Sequence, residues 1–296
     1  LLVNDLLNAT VLGSIYLLFS MGMALTWGTI GILNFAHGAV FVFSGFAAHA
    51  LASTVQLPAI VLVLTAAVTG GLLSVAIQLL VFDPIVKRAK NHRAAEVQIL
   101  IGGIGVAAIV VGIVQIATKN SAFGLGAASF GDPYTVFGIR IGVTVVIILL
   151  LAAVISISLI VWLSRSRRGL ALRAIGVHPE TASLMGIDQR KLALGTMAAG
   201  GVLAGLAGAM LTIHLGSLSP TSGDSFLIKA FAIVVLGGLG SMAGVVVGSY
   251  VLAFSETFVT LYGSGSWASA VSFGLILLFL LVRPQGVFGK KEVRRT

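Results

Sequence analysis

A chain of 296 residues that is 58% hydrophobic and only 9% charged excludes an ordinary soluble domain, whose charged share is roughly 25%. The absence of cysteine excludes a disulfide framework and a thiolate metal site. A formal net charge of +9 would suit nucleic acid, but the basic residues cluster in three short polar segments, a membrane-topology signal rather than a nucleic-acid surface.

Several uncharged windows reach about 20 residues, enough to cross a hydrocarbon core of ~30 Å as a helix. They lack the period-two alternation of a transmembrane barrel. The 37 glycines suit helices that approach closely in lipid. The expected fold class is therefore all-α: one transmembrane domain over 1–296, a polytopic helical bundle of about 8–9 membrane segments, some short or broken. No cleavable signal peptide is visible. An opening on Leu1 rather than Met implies that a few leading residues are missing.

In chain order the apolar runs predict spans at 8–33, 36–55, 58–82, 96–117, 140–163, 191–214, 226–239, 242–262 and 267–282. Lys87, Arg88, Lys90 and Arg93 fill the break after the third span. Arg165, Arg167, Arg168, Arg173, Arg190 and Lys191 fill the break at 164–191, and Arg283, Lys290, Lys291, Arg294 and Arg295 the tail. Of the 18 basic residues only Lys119, Arg140 and Lys229 lie elsewhere. With those three segments cytoplasmic, the N-terminus is expected outside and the C-terminus inside.

The first irregularity is "GILNFAHGAVFVFSG" (31–45), where Asn34, His37 and Gly38 interrupt two apolar runs. Irregular backbone at membrane depth is tolerated where it is buried in protein or lines a water-filled cavity. Asp83 and Glu96 flank the first basic loop and read as interfacial residues. "RRGLALRAIG" (167–176) reads as a continuation of the preceding span. "VHPETASLMGI" (177–187) reads as a separate short helix, with Pro179 at its first position, Glu180 at the positive end of its dipole and Gly186 as its stop. Its apolar Leu184, Met185 and Ile187 need cover, from a partner's groove or from lipid headgroups.

Further on, "FLIKAFAIVVLGGLGSMAG" (226–244) resembles a second short or broken helix. Lys229 enters from outside by about one turn, and Glu256 lies at similar depth in the next span. They read either as an intramembrane ion pair or as two charges that snorkel outwards. "GGLGSMAGVVVG" (237–248) sets Gly240, Gly244 and Gly248 four apart, on one helix face suited to close packing, and "GGVLAGLAG" (200–208) reads the same way. No GxxxxGK[ST] phosphate loop and no nucleophile elbow is present. No metal-ligand cluster is expected either.

Taken together, "LGSIYLLFSMGMALTWGTIGILNFAHG" (12–38), "RGLALRAIGVHPETASLMGI" (168–187), "AGLAGAM" (204–210), "KAFAIVVLGGLGSMAGVVVGSYVL" (229–252) and "RPQGVFG" (283–289) resemble, in order, the branched-chain amino-acid ABC transporter permeases of the LivH type. Sugar permeases such as the ribose importer belong to the wider family. The resemblance implies a multi-pass subunit of the bacterial inner membrane. Its partners would be a second permease chain (LivM-type, or a copy of itself), two cytoplasmic ATPases that bind ATP and Mg, and a periplasmic substrate-binding protein. No cofactor would be bound by this chain, and no catalysis performed by it. It also implies that Arg173, His178, Pro179, Glu180, Leu184, Met185, Gly186 and Ile187 form the segment coupled to the ATPases, and that their closure tilts the spans at 140–163 and 191–214. The solute is expected to be a branched-chain or other neutral amino acid, with urea, short amides or aromatic acids as the alternative. Candidates for a weakly polar path are Thr26, Asn34, His37 and Ser44. An ion-coupled carrier fits less well, since it needs carboxylates near the midplane and only Glu256 is a candidate.

Overall fold

A computed structural model describes residues 2–31, 34–126, 128, 130–131, 133–136, 139–177, 179–238 and 240–263, with 267, 270, 274, 277–279, 281, 283, 286 and 288. The protein is almost wholly helical. In chain order the helices are α1 (Leu2–Ile30), α2 (Ala36–Ala52), α3 (Ala59–Ile77), α4 (Asp83–Arg88), α5 (His92–Ala117), α6 (Val143–Arg165), α7 (Arg167–Val177), α8 (Pro179–Leu184), α9 (Gln189–Leu215), α10 (Ser222–Gly237) and α11 (Met242–Tyr262). A π-helical turn, Gln78–Phe82, joins α3 to α4 without a break.

Among the described residues six helical stretches are long and apolar enough to cross a membrane: Val3–Gly28, Ala59–Arg88, Arg93–Ala117, Val143–Arg165, Gln189–Leu215 and Met242–Tyr262. α2 and α10 are shorter, at 17 and 16 residues, or roughly 25 Å at 1.5 Å per residue. The expected last span at 267–282 lies largely outside the described residues.

α1 and α9 form the buried centre. α9 runs along α1, α2 and α3, and α1 also meets α6, α10 and α11. Lipid supplies little drive for helix association, so close approach and dispersion hold such a centre. α9 brings its small residues to each neighbour: Gly201 lies on the Gly70 carbonyl of α3, Gly205 on the Ala66 carbonyl and Gly208 on the Phe41 carbonyl of α2. By contrast α3, α5 and α6 turn exposed rows of Leu, Ile and Val outwards, such as Ile101, Ile104, Ile109 and Ile113.

The structure departs from the sequence-based expectation in several places. The bundle is not purely α-helical, because Tyr134–Val136 (β1) and Ile139–Ile141 (β2) pair antiparallel between α5 and α6. Thr135, Val136, Ile139 and Ile141 are β-branched and favour the extended backbone. α6 therefore starts at Val143, after extended Gly142. α7 does not continue α6: Ser166 is extended (ψ 152), and its hydroxyl accepts from Gly169 N at 2.9 Å, a capping bond that starts a new helix. His37 and Gly38 are not in the break, which closes at Phe35, but in the first turn of α2.

Gly240 is not on a helix face with Gly244 and Gly248. It lies before α11 with φ +84; Ser241 caps α11 by accepting from Gly244 N at 3.1 Å. Gly244 instead meets Gly237 of α10, each backbone filling the space of the other's absent side chain, and Gly248 meets Ile233.

Candidate functional site

Among the described residues several polar constellations break the apolar bundle. The first joins α1, α10 and α11. Lys229 Nζ donates to Glu256 Oε2 at 2.9 Å and to Tyr16 Oη at 2.7 Å, while Tyr16 donates to the same Glu256 oxygen at 2.6 Å. The ammonium also lies 5.0 Å from the Tyr16 ring centre and 5.8 Å from that of Phe226, so two aromatic faces add to its stabilisation. Glu256 is buried and Lys229 mostly so. Neither charge snorkels. Tyr16 was not singled out in the sequence, where a tyrosine in an apolar run has no distinguishing signal.

Thr26, Asn34, His37 and Ser44, the candidates for a polar path, are all buried and engaged within the bundle, with Asn34 Nδ2 donating to Met197 Sδ of α9 at 3.6 Å. Thr26 Oγ1 donates to the Met23 carbonyl, Ser44 Oγ to that of Val40, and Asn34 Oδ1 accepts from Ala36 N. That last bond explains Asn34, whose amide oxygen starts α2 across the break. His37 packs at 4.6 Å from the Phe19 ring with Nε2 3.1 Å from the Phe19 carbonyl. Its Nδ1 is buried without a hydrogen-bond partner among the described residues.

Polar surface is found elsewhere. Ser217, Ser219, Thr221, Asp224 and Ser225 are exposed around the head of α10. That head lies deep, because Gly223 packs on Gly38 in the first turn of α2. The other end of α2 is tied to the loop after α5, His49 Nδ1 meeting the Gly124 carbonyl. The 11 residues from Gly38 to His49 span roughly 16 Å of helix, so the segment between α9 and α10 dips into the bundle. The sequence signal was present in "SLSPTSGDS" (217–225), a polar run beside a short apolar helix.

The third constellation is at the basic end. α8 projects from the bundle with Leu184 87% and Met185 80% exposed, whereas Ala182 is buried. Met185 N bonds the Thr181 carbonyl, Ile187 N that of Ala182, and Gly186 has φ +81, which closes the helix as a left-handed stop. Pro179 opens α8. Of Pro179 and Glu180 only the backbone is described, and His178 lies outside the described residues. Arg173 reaches back to the Ser164 carbonyl at 3.3 Å, bracing α7 against the end of α6.

α9 follows at once, and Asp188 caps it by accepting from Lys191 N at 3.1 Å. That bond holds the Asp188 carboxyl below its ordinary pKa. Arg190 then donates to Asp83 Oδ2 at 2.6 Å, and Gln78 donates to Asp83 Oδ1 at 2.7 Å. Asp83, read from the sequence as an interfacial residue, is buried within the protein. It ties the base of α9, just after α8, to the π-helical turn between α3 and α4.

Residues 6–280 match the family described as the permease component of branched-chain amino acid transport systems. Over 99% of its length the chain is 28% identical to the high-affinity branched-chain amino acid transport system permease protein BraD of Pseudomonas aeruginosa, covering 97% of that protein. Identity and coverage are the same with its namesake LivH of Escherichia coli K12. With the ribose import permease protein RbsC of E. coli K12, identity is 24% over 95% of this chain and 85% of that one. No solved structure matches the chain.

Proposed function

The chain belongs to the family of branched-chain amino acid transport permeases, and from that premise we propose that it carries branched-chain or other neutral amino acids inwards as the membrane-spanning subunit of an ATP-driven importer. The observation that carries this reading is the match along residues 6–280. The chain is a permease and not an enzyme. Its work comes from separate ATPases, which bind ATP and Mg.

In this reading the basic segments face the cytoplasm, the N-terminus faces outwards, and the protein resides in a bacterial inner membrane. A second permease chain, of LivM type or a copy, completes the pathway, and a periplasmic binding protein delivers the solute. α8 enters a groove on each ATPase: Leu184 and Met185 supply the apolar anchors that a helix in a groove requires. Motion of α8 reaches α9 through Asp188–Arg190 and reaches α3–α4 through Asp83. The hydroxyls at the head of α10 offer the solute its polar surface, and the Tyr16–Lys229–Glu256 triad keeps α10 fixed behind them. The Thr26, Asn34, His37 and Ser44 group supports the wall of that path from within.

Co-expression with the ATPase and binding-protein genes is the test. Two P-loop ATPase chains are expected to co-purify, and the binding protein is expected to gain thermal stability with leucine, isoleucine or valine. A response to urea or an aromatic acid alone overturns the substrate, and purification without ATPases overturns the importer.

A further inference from the structure

A cavity of about 530 Å³ opens at the basic end of the bundle, between α1, α6, α7 and α9. Its walls are apolar, from Leu25, Leu159, Leu172 and Leu192, and two cations, Arg168 and Lys191, stand at its rim with Trp162. Gly195 and Ala199 keep the α9 wall low. A side chain at Gly195 would meet nothing within 4 Å.

We propose that this cavity is a binding site for one anionic phospholipid, its phosphate held by Arg168 and Lys191 and an acyl chain laid along α6. Three observations carry it. On α6 the residues Leu150, Val154, Ile157 and Val161 are exposed at helical spacing, a lipid-facing row about a third of a turn round the helix from Trp162, so the helix that lines the cavity with Leu159 and Trp162 is itself in contact with lipid. Tryptophan is the side chain suited to headgroup depth. The charged groups around the rim favour an anion, because among the described residues no carboxylate lines the cavity. The acidic group in contact with it is Asp188, 3.2 Å from Lys191 Nζ, and Asp188 also caps α9. Asp83 is engaged by Arg190 at 2.6 Å. Basic pockets between helices at a membrane boundary hold anionic headgroups in this way. The site needs only that the chain lie in a bilayer, so it stands or falls separately from the importer reading.

The test uses the full chain with Trp27→Phe and Trp267→Phe, leaving Trp162 as its fluorophore. It is reconstituted in phosphatidylcholine vesicles containing brominated phosphatidylglycerol or, at the same fraction, brominated phosphatidylcholine. The anionic lipid is expected to quench Trp162 preferentially. Arg168→Gln and Lys191→Gln are each expected to lower that preference about five-fold. Arg168→Lys keeps it, and Lys87→Gln, on α4, leaves it unchanged. Equal quenching by both lipids overturns the site. So does reversal by inorganic phosphate, which marks a free-anion site, or an equal loss in Lys87→Gln, which marks general surface charge.

Discussion

Removing one member of a buried ion pair leaves the other charge uncompensated, and such losses cost about 3 kcal/mol or more. Lys229→Met and Glu256→Gln are therefore each expected to lower the thermal unfolding temperature in detergent sharply, while the double variant recovers part of the loss. Tyr16→Phe removes one hydroxyl that both donates to and accepts from charged groups, for a cost of about 2 kcal/mol. At Asp188 the folded pKa is lowered, so its capping contribution is present above the ordinary carboxylate pKa and fades as pH falls through the lowered one. Acidification through that range is expected to lower the hydrogen-exchange protection factor at Lys191 N, measured against the intrinsic rate at each pH; Asp188→Asn, which keeps the acceptor, leaves that factor independent of pH. Lys229 and Glu256 were legible in the sequence because charge is conspicuous in an apolar run. Asp83 was not, because its partner Arg190 is 107 residues away and only the tertiary fold brings the two together.

Helix packing follows from small residues, and their spacing alone misplaced one of them. Gly240 keeps the four-residue register of Gly244 and Gly248 yet lies outside α11, because Ser241 starts the helix after it. Periodicity cannot distinguish a glycine in a turn from one on the helix face that follows. The same spacing did locate the α9 face, where Gly201 and Gly205 lie on backbone carbonyls of α3. Gly201→Leu is expected to force α3 from α9, costing about 3 kcal/mol and lowering the yield of folded protein on size-exclusion chromatography. Gly195→Ala, with open space at its Cβ, serves as the tolerated control. The break between α6 and α7 was also hidden, since Ser166 differs from its neighbours only in the capping bond that it makes.

At the scale of the molecule, the basic end joins three devices: exposed α8, the Asp83 tie and the foot of α9. If α8 transmits ATPase closure, Met185→Ser or Leu184→Ser abolishes transport and transport-stimulated ATP turnover while leaving the unfolding free energy within about 0.5 kcal/mol of the original, as for exposed sites. Glu180→Gln is expected to weaken the same stimulation. Wild-type transport in all three variants removes α8 from the mechanism. The island of polarity at 164–191 was legible because it stood alone between long apolar runs. The polar run at 217–225 was legible in the same way, but its depth was not, since depth depends on which helix a glycine meets.

The triad also bears on how the protein is made. α10 has 16 residues and carries Lys229, and a lysine near the middle of a nascent helix opposes its release into lipid by about 3 kcal/mol. Its counter-charge, Glu256, is synthesised 27 residues later, whereas Tyr16 on α1 has been waiting since the first span emerged. α10 must therefore linger at the insertion machinery until α11 arrives, and the two leave as a neutralised hairpin. A nascent chain halted before Glu256 should keep α10 within photo-crosslinking reach of the insertion machinery, and one extended past Glu256 should lose that crosslink.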